Sequence, residues 1–434
     1  MKPQERWQTI SIELSELPAE LDCPEPYDGL RAVFFWKGVA LGHCLLAASQ
    51  LPLNRAQIAA VVSKAIPEAA GHWLVEDAFR SALPGLAESA ISDSVEALNS
   101  LLQVDQPLGQ LDSLLRNESP DVTQRLSVAI CTHERPADLA RCLTALSSSV
   151  APPREILVID NAPSSDETRA VVAQFPNVQY HEEPRRGLSY ARNAALSVAT
   201  SEIVAFIDDD VVPHPRWTES ICRCFDDPKV MVATGLILPA QLETDAQRIF
   251  EQSFQFFYQG YRRRCFDAAY FAEMKSKGVP VWSIGAGANM ALRRQVFQLG
   301  YTFDTRLGPG IFGGCGEDSE LWYRLLADGW SCYYEPSACV FHYHRRELPA
   351  LRHLVHQYMK GHVAALLLQF AKHRHRGDLR RLFLVLPVEY AILLLRLVAT
   401  GFSLDNRILL RGAAGCISGL RFVFTRSREE AAVR

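Results

Sequence analysis

The sequence predicts an α/β protein: a doubly wound, mainly parallel sheet, with a small α+β region before it and a helical region after it. Two observations carry this. From Arg125 onward, short β-branched and aromatic runs alternate with stretches of helical periodicity, as in strands joined by crossover helices. One strand, Ile203-Val-Ala-Phe-Ile207, runs straight into Asp208-Asp209-Asp210, and ligands of such sheets gather beyond strand C-termini.

Residues 1–120 read as the small α+β domain. Ile10 to Leu14 and Ala32 to Leu45 are strand-like, the second folded into a hairpin at Lys37-Gly38. Arg55 to Ile66 and Ser92 to Leu102 have helical periodicity, His43 and His72 read as structural, and Arg116 to Thr123 is a polar linker. Residues 121–345 form the sheet domain. Strands are expected at Leu126–Cys131, Glu155–Asp160, Val178–His181 and Ile203–Ile207, with helices from Pro136, from Ser164 to Gln174 and from Ser189 to Ala199. Residues 346–434 read as helical to the end.

A length of 434 residues and an apolar share of 48% suit two or three packed domains. The net charge of −4 hides an asymmetry. Arg345 to Arg434 carries 16 Lys and Arg against 6 Asp and Glu, a net +10, which leaves −14 for the rest. Such a tail suits an anionic membrane surface, although a merely solvated basic face is the plainer reading. Within it, 382–400 is apolar and long, but Glu389 and Arg396 weigh against a span. Three readings stay open: an interfacial helix, a buried core helix and a spanning one. Met1 to Leu14 is polar and strand-like, unlike a secretory leader. Eleven cysteines without a CxxC pair read as reduced thiols, so the expected location is cytoplasmic, peripheral on the inner face of the membrane. Nucleic acid is not among the expected partners.

The chemistry is expected at successive strand ends. Asp208 and Asp210 alternate along extended backbone and suit a hard divalent cation that leaves positions for phosphate oxygens; the bland reading makes them caps of the element near Pro213. Thr132-His-Glu-Arg135 presents amides and a guanidinium to an anion at a strand-to-helix turn. Asp160 closes the second strand, Gly187 permits close backbone approach, and Arg192 adds a second cation.

Residues 131–143 (CTHERPADLARCL), 155–168 (EILVIDNAPSSDET), 186–196 (RGLSYARNAAL) and 203–213 (IVAFIDDDVVP) together resemble glycosyltransferase family 2. Residues 282–294 (WSIGAGANMALRR) and 316–325 (GEDSELWYRL) match as well, so the resemblance covers roughly 125–345. It implies a Rossmann-like GT-A catalytic domain. It implies that Asp160 reads the base or ribose, and that Asp208 and Asp210 bracket a metal-binding DxD motif, with Asp209 between them at the donor. Asp318 is implied as the catalytic base, with Glu317 beside it as the other acid of the catalytic pair, and the plainer reading of Asp318 is a helix N-cap. His342 or His344 resembles a metal-side histidine, and Phe341-His-Tyr-His344 offers both. Trp282, Gly285, Gly287 and Asn289 mark the sugar or acceptor region.

The implied reaction is non-processive and inverting, uses Mn2+ or Mg2+, and takes a nucleotide-sugar, UDP-linked above all. The acceptor is a glycan, a lipid-linked glycan or another hydroxyl compound. Rival classes fit less well. A sugar-nucleotide pyrophosphorylase wants a Gly-rich loop where Thr132 to Arg135 stands, and a processive synthase wants QxxRW and several spans. A non-catalytic nucleotide-sugar-binding or scaffolding protein has no need of Asp208, Asp210 and Asp318 together. Gly308 to Gly314 reads as a loop that orders over bound donor, and the aromatic run from Phe254 to Tyr258 as packing.

Overall fold

The computed structural model describes residues 5–73, 122–254, 257–400 and 404–432. The chain divides into two compact units: Glu5–Val122 with Gly260–Arg262, and the remainder.

In the smaller unit, β1 (Trp7–Glu13) pairs parallel with β2 (Gly29–Trp36), which pairs antiparallel with β3 (Val39–Ala47). Lys37 and Gly38 make the hairpin turn with φ of +47° and +85°, a twist that suits tight two-residue connections. Helix α1 (Arg55–Ala65) starts where Asn54 and Gln57 cap each other's backbone N–H groups. Its Ile58 and Val62 join Leu30, Phe34, Leu41 and Trp73 in the core. The helix expected over 92–102 lies outside the described residues, as does most of the linker.

Among the described residues the larger unit holds a nine-stranded sheet. Its parallel half consists of β4 (Leu126–Thr132), β5 (Glu155–Asn161), β6 (Val178–Glu183) and β7 (Ile203–Asp208), in the order β6-β5-β4-β7. The crossovers are α2 (Pro136–Ser147), α3 (Glu167–Val172) and α4 (Leu188–Val198). Both faces are covered, so β7 reads as an unbroken apolar run, with Val204 and Ala205 fully buried. Helix α3 is shorter than the periodicity suggests. Ser164 and Ser165 stay outside it, and the Ser164 hydroxyl instead donates to Glu134.

Beyond β7 the sheet changes sense. Its remaining strands are β8 (Val211–Pro213), β9 (Val230–Pro239), β10 (Asn289–Arg293) and β11 (Ser331–His342), with a short strand at Arg264–Phe266 pairing antiparallel to β11 as the ninth. Strand β10 inserts antiparallel between β7 and β9, and β11 lies parallel to β9 and antiparallel to β8. Helix α5 (Glu317–Ala327) buries Leu321, Leu325 and Leu326 and ends before Gly329, whose φ of +90° suits a helix stop.

The C-terminal helices belong to this same unit. They are α6 (Leu348–His373), α7 (Leu386–Thr400) and α8 (Leu404–Ala432). Helix α8 meets α6 through Gly415 and Gly419, where an added Cβ would come within 2.4 Å of the His356 carbonyl and 2.5 Å of the Lys360 carbonyl. Helix α6 in turn seats Gly361 against Cys315, whose carbonyl would stand 1.5 Å from a Cβ there. Only glycine permits such contact. Among the described residues no helix is long and apolar enough to cross a membrane. Segment 382–400 is divided instead: Leu382 and Leu386 are buried, whereas Leu384, Val388, Leu395 and Val398 are exposed.

Candidate active site

Strand β7 ends at Asp208 and the backbone turns through Asp209 and Asp210, so simple alternation stops there and the three carboxylates take different partners. Asp208 lies 3.5 Å from Arg192 Nη2 and stays about a third exposed. Asp209 accepts from Thr132 Oγ1 at 2.7 Å and from Arg135 Nη1 at 3.1 Å. Asp210 accepts from the same Arg135 nitrogen at 3.0 Å, and its Oδ1 lies 3.0 Å from His342 Nε2. Thr132 and Arg135 therefore brace the acids.

Burial pushes the carboxyls of Asp208 and Asp209 up, and neighbouring Asp210 adds to this. At Asp210 burial is outweighed by His342 and Arg135, which hold it well below the usual carboxylate range. Burial would lower His342, but Asp210 reverses this and pushes the imidazole up. The second histidine goes elsewhere. His344 Nε2 lies 3.6 Å from Glu251 with its ring against Phe250, and burial pushes it down. Between the two candidates, it is His342 that meets the acids.

On the other side of the cavity α5 starts after Gly316, which takes the cap position with φ of +137°. Asp318 is therefore not the N-cap. Its Oδ2 accepts the Gly287 N–H at 2.8 Å and its Oδ1 accepts the Ser319 N–H at 2.6 Å. Glu317 faces inward, 4% exposed, and accepts from Arg192 Nη1 at 2.6 Å. Burial raises its carboxyl although Arg192 opposes the shift. Arg192, itself buried, also donates to the Gly287 carbonyl at 3.1 Å. It is thus a tie between the two acidic clusters, and Glu317 is its structural partner.

Gly287 has a steric reason: a Cβ would lie 2.6 Å from Arg192 Nη2 and 3.0 Å from Asp318 Oδ2. Gly285 presses on Thr234, 2.4 Å from the position of its missing Cβ. Trp282 meets the His362 ring edge-on at 4.5 Å, and the Arg381 guanidinium lies 4.9 Å over its face. Asn289 is a correction to the expected sugar region. It is fully buried, donates to the Leu236 and Ala338 carbonyls, and accepts from Trp217 Nε1 at 2.8 Å. Its side chain clamps β9, β10 and β11 together and has nothing left for a ligand.

Asp160 is fully buried, accepts from the Tyr180 hydroxyl at 2.9 Å, and is pushed up by burial. Its Oδ1 has no hydrogen-bond partner. The neighbouring Asn161 lines the cavity, and its Oδ1 accepts the Gly187 N–H at 2.7 Å. Gly187 holds φ of +132°, with Ile311 packed against the place of its Cβ.

Arg192, Asp208, Asp210, Glu317, Asp318 and His342 line one cavity of about 640 Å³, and Asp160, Gly187 and Asn289 stand behind its wall. Sequence reasoning missed a whole wall of it, because Tyr358, Met359, Arg381 and Leu393 come from helices without a recognisable motif. Phe254 and Phe257 are buried and line it too.

The donor set suits an open site for a hard cation. Asp210 Oδ1 is buried without a well-directed hydrogen bond beside His342, and Asp208 faces the cavity. Among the described residues no three His, Cys, Asp or Glu side chains are already gathered into a closed metal cluster. Cations such as Mg2+ are commonly held by one or two carboxylates with phosphate oxygens completing the shell.

Residues 127–299 match the sequence profile of glycosyl transferase family 2. The pre-mycofactocin glycosyltransferase of Mycobacterium tuberculosis is 28% identical over 225 residues, 51% of this chain and 43% of that protein. The succinoglycan biosynthesis protein ExoM of Rhizobium meliloti is 25% identical over 235 residues, 51% of this chain and 67% of that protein. A solved mannosyltransferase, PcManGT from Pyrobaculum calidifontis in complex with GDP-Man and Mn2+, covers 70% of this chain at 19% identity, with a TM-score of 0.48. The chain thus spans less than half of its mycobacterial relative. The acidic turn after β7 and Gly287 lie inside the matched stretch and the Glu317-Asp318 pair lies beyond its end, so residues 127–299 form a segment similar to glycosyl transferase family 2.

Proposed function

We propose that the protein transfers a single sugar, with inversion and metal dependence, from a nucleotide-sugar to a hydroxyl acceptor in glycan or polysaccharide biosynthesis. The observation that supports this most is the placing of Asp318 in one cavity with Asp208, Asp210 and His342. Asp318 is held by N–H donors and not by an ion pair, so one lone pair can accept the acceptor's hydroxyl proton as the new bond forms. A carboxylate needs no extreme pKa for this, and attack opposite the departing nucleoside diphosphate inverts the anomeric centre.

Asp210, His342 and Asp208 would hold the divalent metal, Mn2+ or Mg2+, which offsets charge on the departing diphosphate. Arg192 keeps Glu317 and Asp208 in place, Arg135 ties Asp209 to Asp210 through one shared nitrogen, and Thr132 fixes Asp209. Gly187 and Asn161 shape the donor side of the cavity, next to Asp160. UDP-sugars are the first donors to test, with GDP- and dTDP-sugars beside them. The exposed apolar face of α7 and the basic segment before it support peripheral attachment to an anionic membrane surface.

A thermal-shift screen of nucleotide-sugars with and without Mn2+ tests the reading. We expect one nucleotide class to raise the melting temperature only when the metal is present. No shift from any nucleotide-sugar, with a folded protein, would overturn it.

A further inference from the structure

Helix α6 turns one face to the cavity, and three polar side chains stand on it: Tyr358, His362 and Gln369. Their spacing of i, i+4 and i+11 puts them on one side of the helix. The fold leaves His362 unsatisfied, because its Nε2 is buried without a hydrogen-bond partner. An unpaired buried nitrogen costs free energy that a bound partner recovers. Burial, with the Arg381 guanidinium nearby, pushes the imidazole from 6.5 down to about 3, so it is neutral near neutral pH. A neutral imidazole has one N–H and one lone pair. Either suits a hydroxyl, which both donates and accepts, and neither brings a charge for a phosphate.

Two routes tie this ring to Asp318. Along the backbone, a Cβ on Gly316, the cap of α5, would stand 3.4 Å from the Gly361 carbonyl carbon and 3.8 Å from the His362 nitrogen. Asp318 is the second residue of α5. Through side chains, the imidazole meets Trp282 edge-on at 4.5 Å, and five residues after Trp282 the Gly287 N–H is donated to Asp318 Oδ2. We infer that His362 is a specificity-determining residue for the acceptor: its Nε2 bonds a second hydroxyl of the acceptor and so turns the first toward Asp318. This rests on the transfer reading above and adds a residue to that same site. The acceptor then carries neighbouring hydroxyls, as a sugar ring does, and a lone alcohol is a poor substitute. His362 lies on α6, past the end of the matched stretch at residue 299, so the choice of acceptor is made by the helical tail.

The test uses the full chain with nitrogen-labelled histidine, a panel of methyl hexopyranosides with their monodeoxy analogues, and 1-propanol as a lone hydroxyl. The donor is the one that the thermal-shift screen picks out. His362→Phe keeps a ring against Trp282 and removes both nitrogens, so its NMR spectrum assigns the His362 Nε2 resonance. One glycoside is expected to move that resonance and to accept sugar, whereas 1-propanol does neither. One monodeoxy analogue of that glycoside should leave the resonance in place. His362→Phe should raise the KM for the glycoside by roughly tenfold with the donor thermal shift unchanged. His362→Gln, whose amide reaches the same place, should recover most of that loss. A glycoside that accepts sugar without moving the resonance, a resonance that no glycoside moves, or an equal response to 1-propanol would overturn the inference. So would a His362→Phe variant that melts lower and keeps the wild-type KM. If His362→Phe loses its melting transition, His362→Gln gives the assignment and the wild-type titration decides alone. The donor shift separates the two readings. A retained donor shift with an unmoved resonance overturns this inference alone, whereas a moved resonance without any donor shift overturns the transfer reading and the acceptor role with it.

Discussion

Arg192 donates to Glu317 at 2.6 Å while its other terminal nitrogen lies 3.5 Å from Asp208. Two carboxylates from elements far apart in sequence therefore share one buried cation. That gives the site a dependence the motifs do not disclose, since the acids on β7 and on α5 are positioned by the same side chain.

Removing that cation should cost more than removing either acid. Arg192→Met is expected to destabilise the protein by about 3–5 kcal/mol, because a buried charge loses its partner. Glu317→Gln keeps the shape and should cost less. Differential scanning calorimetry of both variants checks the ordering, and equal melting temperatures for wild type and Arg192→Met would contradict it.

Asp318→Asn should cut kcat by roughly two to four orders of magnitude while donor binding stays near wild type. It will not be silent for stability. Both Asp318 oxygens accept a backbone N–H, and an amide offers only one acceptor, so about 1–3 kcal/mol should be lost. Single-turnover kinetics with a donor-binding assay separates these effects, and wild-type turnover would move the base elsewhere.

Replacing Asp208 or Asp210 with Ala should abolish transfer and weaken donor binding, and excess EDTA should do the same to the wild type. The two histidines should differ. His342→Ala is expected to weaken Mn2+-dependent donor binding tenfold or more, whereas His344→Ala, which loses Glu251 and Phe250, should act on stability. Full activity in EDTA is the contrary result.

Asp378 gives a pH dependence with a definite sign. Burial pushes its carboxyl from 3.8 up to about 6, although the Tyr323 hydroxyl donates to it. The folded state therefore holds the proton more tightly than the unfolded chain. Its contribution is fully present below pH 3.8 and is lost as pH rises through about 6. The shift corresponds to on the order of 2–3 kcal/mol. Asp378→Asn should remain as stable above pH 6 as below it in this respect, so its melting temperature should fall less than that of wild type between pH 4 and 7.

Binding to anionic vesicles should weaken as salt rises, since each basic side chain near the surface adds about 1 kcal/mol that salt screens. Arg374, Arg376 and Arg380 precede α7, whose outer apolar face should keep release incomplete. Co-sedimentation across a salt series measures this, and no vesicle binding at low salt would contradict it.

The alternation from Leu126 to Asp208 was readable because each element is decided within a few residues, by period and by Gly or Pro punctuation. The acids at the end of β7 were readable for the same reason. Asn289 was not. Its neighbours suggest a ligand loop, yet its partners are carbonyls at 236 and 338, which only the folded sheet brings together. Likewise His342 and His344 sit in one short string, and what separates them is Glu251, some ninety residues earlier in the chain. The wall built by α6 and α7 is the largest omission, since apolar periodicity says that a helix is covered without saying what by.

The contact between Gly361 and Cys315 leaves no side chain to act as a cushion. Backbone rests on backbone, one residue before the glycine that opens α5 and three before Asp318. A soft junction of long side chains would absorb a small shift of α6 by changing rotamers. This one is stiff, so sideways travel of that helix passes undamped to the loop beneath it. A push on the far arm of α6 therefore bears on backbone three residues from Asp318.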